Sequence, residues 1–386
     1  MERKQLFDYN CKRTIETAKM LANAIKKIDT DRPITSAIVD DGKDWSKFDT
    51  LMAVYDVSGY NYHLWSATSD HKRVPSRVIV QTESYPKDAF TNWNLMQENN
   101  YVIGDFVWTA IDYLGETDIG RTYYSGETPG ENWDNDMFPW HGAYCGDIDV
   151  IGWRKPISHY RSMLYNDNER LYMAVREPAP EPLEIKETWW SVWPTWESWT
   201  WPGFEGKDIQ VEIYSKYPKV RLYLNNKLID EKLTTRDQQF KATFTVPYSP
   251  GLLKAVGVEN NKEIESTILQ TSGDAAKIKL IADRKEILAN GQDLSYITVK
   301  ISDKDGIFQP NATNRLHFKI EGPGTIAGVG NADVKDTDPY IADSRKAWHG
   351  RALVVIKSTH SAGDIKLTVT SPGLTETNIN ITANGQ

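Results

Sequence analysis

Ile15, Ala18, Leu21, Ala22, Ile25 and Ile28 recur three and four residues apart, the spacing that puts side chains on one face of a helix over residues 3–28. Asp29-Thr-Asp-Arg-Pro33 ends it. Four short, near-continuous apolar runs follow: PITSAIV (33–39), LMAVYDVSGYNY (51–62), RVIVQTE (77–83) and YVIGDFVWTAIDY (101–113). Runs of this length predict parallel strands covered on both faces. Helices fit between the last three, over 64–74 and 86–99, with Pro86 suited to a first turn. Residues 154–165 read as a closing helix. Alternating β and α elements place chemistry at the C-terminal ends of the strands of a barrel. Four strands are half of an eight-strand barrel, and an open half leaves an unpaired edge and a wet apolar face. The chain is therefore expected to be the second half of a longer protein; dimerisation and strand swapping are the alternatives.

After EPAPEP (177–182) the period changes. TWWSVWPTWESWTWPGFEG carries six Trp between positions 189 and 201. Short alternating segments follow (IQVEIYS, KVRLYLNNKLI, QFKATFTVPY, GLLKAVGVE), joined by Asn-Asn and Pro-Gly turns, the pattern of a β-sandwich. A break at 271–274 leads to a second such module, with AKIKLIAD, SYITVKISD, RLHFKIEGPG, RALVVIKS and IKLTVTSPG. The expected fold class is multidomain α/β plus all-β. The expected domains are a partial (β/α)8 barrel over 1–177 holding strands five to eight, an immunoglobulin-like sandwich over 178–271, and a C-terminal sandwich over 272–386.

Composition narrows the function. A net charge of −8, from 45 basic and 53 acidic residues, argues against a nucleic-acid partner. No apolar run reaches the ~20 residues of a membrane span. The polar N-terminus lacks a signal-peptide core. Taken as the true start it implies the cytoplasm; a signal further upstream would imply the periplasm or secretion. Cys11 and Cys145 are the only cysteines, so no disulfide framework or paired-cysteine metal site is signalled. No metal or other cofactor is expected, since the seven His are scattered without an HExxH. The glycine-rich stretch 322–333 has no following helix and does not read as a phosphate loop.

The candidate chemistry gathers at the strand ends. Glu83 closes VIVQTE and suits a nucleophile that attacks a sugar's anomeric carbon; the plain alternative is a solvated or ion-paired strand-end acid. Tyr62 ends the preceding strand and is placed to hold that carboxylate by a hydrogen bond, while Asn61 is placed for a sugar hydroxyl. Tyr60 or Tyr62 could equally serve packing alone. Trp108 reads as the floor under a sugar ring or as a core cap. Asp112 and Glu116 read as hydroxyl ligands or as caps. Asp147 and Asp149 read as pocket-rim acids that repel an anionic substrate, or as surface loop acids. The Trp run at 189–201 reads as interdomain packing before a sugar platform.

These residues carry a resemblance. DTDRP (29–33), GYNY (59–62), VIVQTESYP (78–86), GDFVWTAIDYLGE (104–116) and CGDIDVIGWRKPISHYR (145–161) make residues 12–177 resemble the C-terminal half of the catalytic barrel of glycoside hydrolase family 2. Residues 183–270 are similar to the immunoglobulin-like domain that follows that barrel, and 275–383 to a further C-terminal module. The resemblance implies a retaining exo-β-glycosidase. Glu83 matches the nucleophile, Tyr62 the tyrosine that orients it, Asn61 the neighbouring asparagine and Trp108 the sugar-stacking tryptophan. The family's general acid/base is the Glu of an Asn-Glu pair at barrel strand four. The one such pair here is Asn168-Glu169, beyond the last barrel helix and on the wrong side to serve. The N-terminal sandwich and first half-barrel are likewise not matched. β-Glucuronide-cleaving members carry Asn-x-Lys near the closing strand, where this chain has Asp147-Ile148-Asp149, so the resemblance implies a neutral β-galactoside or galactose-containing oligosaccharide as substrate. A β-glucuronidase or other family 2 β-glycosidase, a non-catalytic carbohydrate-binding fragment, and a split enzyme completed by self-association or a separate N-terminal half, are the competing expectations.

Overall fold

The computed structural model describes residues 3–39, 44–132 and 137–385, with residues 3–11 described by backbone alone. Cys11, one half of the conceivable disulfide, lies outside the described side chains. Cys145 is a buried free thiol. The chain divides into two compact units, Met1–Ala110 and Ile111–Gln386. Most of its regular structure is β-sheet, with few helices.

The first unit is built on a parallel four-stranded sheet in chain order: β1 (Ala37–Ile38), β2 (Ser58–Asn61), β3 (Ile79–Ser84) and β4 (Val102–Val107). The opening helix α1 (Arg3–Lys26) matches the predicted period. Its apolar face is only partly covered: Ala18 and Ala22 are buried, while Leu21 and Ile25 are exposed, and Ile28, expected in the helix, lies beyond its end. Helices α2 (Asp49–Met52), α3 (Ala67–Arg73) and α4 (Ala89–Glu98) lie in the connections. Ile38, Trp45, Met52, Tyr60, Leu64, Ile79 and Val102 form the core. Trp45 stacks on Tyr60 at 4.9 Å.

Four expectations shift here. Residues 51–54 are not strand: Leu51 and Met52 complete α2, because a short apolar run serves a buried helical turn as well as a strand. The run 33–39 yields only two strand residues. The run 101–113 yields a strand only as far as Val107. Nor is β4 covered on both faces, since Ile103 and Phe106 are 60% and 64% exposed. Gly59 permits a close approach within the sheet: a Cβ there would lie 2.3 Å from the Ser36 carbonyl oxygen and 2.9 Å from Thr82 Cγ2.

The second unit opens with turns and the helix α5 (Pro156–Tyr165). Two pairs of facing sheets follow. In the first pair, Leu171–Arg176 lies between Thr195–Trp196 and Asp208–Ser215, and Lys241–Pro247 completes the sheet. Opposite it run Lys227–Leu233, Lys219–Leu224, Leu252–Glu259 and Lys262–Gln270. Val211, Ile213 and Phe244 of one sheet meet Val220, Leu222 and Leu253 of the other in one core. Strand Leu171–Arg176 lies on the N-terminal side of the expected boundary at 177, yet its hydrogen bonds belong to this sheet.

In the second pair, Lys277–Ala282, Leu294–Ser302, Arg351–Ser358 and Gly324–Gly330 face a sheet of Glu286–Leu288, Thr377–Asn384, Gly363–Thr370, Arg315–Glu321 and Ser344–Lys346. Ile297, Val299 and Val354 pack against Leu316, Phe318 and Leu367. The glycine-rich stretch is thus a strand, Gly324–Gly330, paired with Arg351–Ser358.

Candidate active site

The first unit brings Asn61, Tyr62, Glu83 and the Trp108 backbone to neighbouring strand ends. Asn61 stands opposite Glu83 in the β2–β3 register. The Tyr62 N–H donates to the Glu83 carbonyl at 2.7 Å, and the Trp108 N–H donates to the Ser84 carbonyl at 3.0 Å. Glu83, Tyr62 and Trp108 are half-buried and Asn61 is buried. Tyr62 has a φ of 61°, the left-handed region that a bulky residue avoids, so the chain leaves β2 sharply at this residue. Its ring lies 4.4 Å from that of Tyr85.

The register shows how β3 presents Glu83. Tyr60 pairs with Gln81, but the next β2 residue, Asn61, pairs with Glu83. On the other side Gln81 pairs with Asp105, and Ser84 pairs with Val107. β3 therefore carries one extra residue relative to both neighbours between Gln81 and Ser84. A bulge of this kind resets the alternation of side chains and re-aims those beyond it. Thr82 lies in the bulge, and its hydroxyl donates to Asn61 Oδ1 at 2.6 Å. That fixes the Asn61 amide and leaves its nitrogen as donor. Thr82 was not anticipated as a site residue; its polarity between an apolar run and the acid was the only signal. His63 Nδ1 donates to the Asn61 carbonyl at 2.6 Å.

Tyr60 is a packing residue. It is fully buried and donates to Asp70 Oδ2 at 2.7 Å, and burial followed by that carboxylate pushes its pKa far up. Arg77 and Arg73 bind Asp70 and Asp49 around it.

Asp112 and Glu116 belong to the second unit. Asp112 is buried; it accepts from Lys155 Nζ at 2.8 Å and from the Gly146 N–H at 2.7 Å. Burial pushes its pKa up to about 6, against the pull of Lys155. Both its burial and its partners make it a brace for the 142–155 segment, in place of the expected hydroxyl ligand. Gly146 is needed there, since a Cβ would lie 2.2 Å from the Asp112 nitrogen. Glu116 is exposed on a turn and accepts from the Tyr113 hydroxyl.

Asp147 and Asp149 are neither rim acids nor surface acids. Asp147 is bound by Arg161 Nε at 2.6 Å. Asp149 is 1% exposed, accepts the Ile151 and Trp153 N–H groups, and faces Arg351 at 3.5 Å. Burial raises its pKa. Glu169 is held by His159 Nδ1 at 2.7 Å and by Arg154. In the Trp run, Trp199 is a core residue of the first sheet pair. Trp196 lies between the rings of His349, at 3.6 Å, and Trp153, at 5.7 Å. Both do packing work, while Trp189 is exposed. Among the described residues no group of three His, Cys, Asp or Glu could hold a metal ion, and no helix is long and apolar enough to cross a membrane.

Comparison with known proteins adds what the geometry lacks. Residues 278–380 match the model for glycoside hydrolase family 2 C-terminal domain 5, and 206–265 match a domain of unknown function, DUF4982. A solved family 2 member from Bacteroides cellulosilyticus is 37% identical, with a TM-score of 0.87 over 96% of this chain and 47% of its own. The chain belongs to glycoside hydrolase family 2. A β-galactosidase from Bacteroides ovatus, BoGH2A, is 26% identical over 95% of this chain and 43% of its own length. A β-glycosidase from Bacteroides vulgatus, 22% identical, shares the fold with a TM-score of 0.74. This family 2 chain spans about half the length of the relatives it matches.

Proposed function

We propose that this chain forms part of a retaining exo-β-glycosidase in which Glu83 attacks the anomeric carbon of a terminal β-galactoside. The observation that carries the reading is the Asn61–Tyr62–Glu83 juxtaposition across a bulged parallel strand. Tyr62 orients the carboxylate, Asn61 donates to a sugar hydroxyl, and the Trp108 indole supports the ring. Attack forms an ester between Glu83 and C1 as the leaving oxygen departs, and water then cleaves that ester. Protonating the leaving oxygen and deprotonating the water fall to a second carboxylate. His159 and Arg154 already engage Glu169, so the reading assigns that role to a part of the family that this chain does not span.

On this reading the four parallel strands are the second half of a (β/α)8 barrel, and each pair of facing sheets is an immunoglobulin-like sandwich. The first sandwich then begins near residue 171, where pairing with Asp208–Ser215 starts. The exposed Ile103 and Phe106 fit a wall that is completed by further strands. The galactoside assignment rests on the Bacteroides ovatus relative. The acids Asp147 and Asp149, each paired with an arginine, no longer argue against a uronide. β-Glucuronide cleavage is therefore the second reading, favoured by relatives from Formosa agariphila that are 22–23% identical and named β-glucuronidases, one of them putative.

A 2-fluoro-galactosyl fluoride tests the central claim, because its activated leaving group needs no acid. Peptide mapping is expected to find the adduct on Glu83, and Glu83→Gln to abolish it. Labelling at another residue, or adduct formation that survives Glu83→Gln, refutes the assignment. Faster labelling by the glucuronyl analogue overturns the sugar.

A further inference from the structure

The second unit holds a cleft of about 650 Å³ that the proposed chemistry does not use. Its walls come from residues within 121–128 and 137–144 and from the 332–349 segment of the C-terminal sheet pair. The size is that of a small-molecule site. Three features make it more than a gap between elements.

The first is its lining. Phe138, Trp140, Tyr144 and Trp348 supply aromatic surface, and Asp333 and Lys335 supply polar ends. Phe138 is 74% exposed, and Trp140 and Trp348 are half-buried. Trp196 also borders the cleft, but both its faces are covered, by His349 and by Trp153. It builds the wall, and Trp140 and Trp348 are the platforms. Flat apolar faces beside a few hydrogen-bonding groups suit pyranose rings, whose C–H faces are apolar and whose edges are hydroxyls.

The second feature is charge. Asp333, Glu127 and Glu177 oppose Lys335 and Arg121, so the cleft has no field that selects an anion. Arg121 is spent on the Thr128 and Gly130 carbonyls. Glu177 accepts from Trp196 Nε1 at 2.8 Å and from the Tyr124 hydroxyl at 3.3 Å. Lys335 lies 5.4 Å from the Trp140 ring centroid.

The third is rigidity. Arg345 is fully buried and donates to the Asp338 carbonyl at 2.6 Å. Asn331 Nδ2 donates to Asp336 at 2.6 Å and to the Lys346 carbonyl at 2.9 Å. The two walls are joined as well: the His141 N–H donates to the Val334 carbonyl at 3.0 Å, and its Nε2 lies 2.9 Å from the Tyr340 hydroxyl. A cleft held open in this way loses little entropy when a ligand enters.

From these features we infer that the cleft formed by Trp140, Trp348, Asp333 and Lys335 binds a neutral oligosaccharide, as a glycan site built from residues other than Glu83, Asn61 and Tyr62. The inference goes beyond the hydrolytic reading and does not need it.

Titration calorimetry and tryptophan fluorescence on the full chain test it, with β-1,4-galactotetraose and cellotetraose as probes and tetragalacturonate as the charged control. At least one neutral probe is expected to saturate with a Kd of about 0.1–1 mM. Trp140→Ala and Trp348→Ala are each expected to weaken it by about tenfold, the loss of one stacking contact. Glu83→Gln is expected to leave it unchanged, which separates this site from the proposed catalytic one. Trp348 also touches Trp196 and Tyr144, so if Trp348→Ala does not fold, Trp140→Ala alone decides. The inference is overturned if neither neutral probe saturates by about 10 mM, if binding survives Trp140→Ala, if Glu83→Gln abolishes it, or if the uronate binds as tightly.

Discussion

Replacing Arg351 with Met should destabilise the second unit by an amount that grows with pH. Arg351 is 4% exposed and Asp149 1%, with 3.5 Å between Nη1 and Oδ2. The guanidinium also lies 3.8 Å from the Trp153 ring centroid. Two opposite charges at that distance attract by about 5 kcal/mol at an effective dielectric of about 20. Burial pushes the Asp149 pKa up and the Arg351 pKa down, and for each the other is the main opposing influence. Without Arg351 the carboxylate keeps the Ile151 and Trp153 N–H groups but loses its buried counter-charge. Breaking such a pair costs roughly 3–5 kcal/mol. The sign follows from linkage. The variant raises a folded-state pKa that already exceeds the unfolded one, so the folded chain holds the proton longer. The penalty is therefore least below the raised folded pKa of Asp149, where the folded chain holds the proton with or without Arg351, and increases as the pH rises through it. Urea unfolding followed by Trp fluorescence at pH 5 and pH 8 measures it. The double variant Arg351→Met/Asp149→Asn removes both charges and keeps an oxygen for the two backbone donors. It should recover at least about half of the loss. A cost below about 1 kcal/mol at pH 8, or a double variant no more stable than the single one, refutes the reasoning.

Two further outcomes follow from the packing. Gly59→Ala brings a Cβ to 2.3 Å from the Ser36 carbonyl oxygen, which forces β2 away from β1. About 1–3 kcal/mol of stability should be lost by thermal melting, and Glu83 labelling should slow by about 10²-fold as Asn61 and Tyr62 shift. Gly104→Ala is the control, because its nearest new neighbour, Val80 Cγ2, is at an ordinary 3.5 Å; equal effects of the two would count against the argument. Glu212 lies buried among Arg176 at 2.5 Å, Lys241 at 2.8 Å and the Tyr214 hydroxyl at 2.8 Å. Burial works against its charge, but Lys241 and Arg176 more than offset this and hold its pKa below the usual value. Its contribution is therefore present above about pH 4.5 and lost as the pH falls through the lowered folded value. Glu212→Gln should cost about 3–5 kcal/mol at pH 7 and flatten the acid limb of urea midpoint against pH, and an unchanged limb would contradict the pairing.

What the chain discloses in sequence and what it withholds follow a physical division. Long alternating segments such as Leu294–Ser302 and Arg351–Ser358 were legible, because a period of two is enforced by a core on one side. Gly324–Gly330 was not, because glycine carries no side chain to alternate; its identity as a strand comes from the partner Arg351–Ser358. Leu171–Arg176 reads as an apolar run with no period, and only its pairing with Asp208–Ser215 assigns it to a sheet. At the site, strand-end position was enough to group Glu83, Tyr62 and Asn61. The bulge at Gln81–Ser84 left no trace, since an extra residue is defined only against two neighbours. In the sequence Asp112 stays open between a hydroxyl ligand and a cap, because Lys155, its partner, lies 43 residues away.

The same division bears on how a sugar is chosen. A carboxylate named in a sequence is a charge; what a substrate meets is a field, and the field depends on the counter-ions. Asp112 has Lys155 at 2.8 Å, Asp147 has Arg161 at 2.6 Å, and Asp149 has Arg351 at 3.5 Å. Each of these three acids is matched by a cation within ion-pair distance, so together they present little net repulsion to a uronate. At the ~8 Å screening length of physiological salt, what remains of three such dipoles is weak beside one direct hydrogen bond to the substituent at C5. On the proposed reading, discrimination between a galactoside and a glucuronide therefore falls to groups that touch that substituent. The buried acids of 112–149 act as the braces that hold their segment in place.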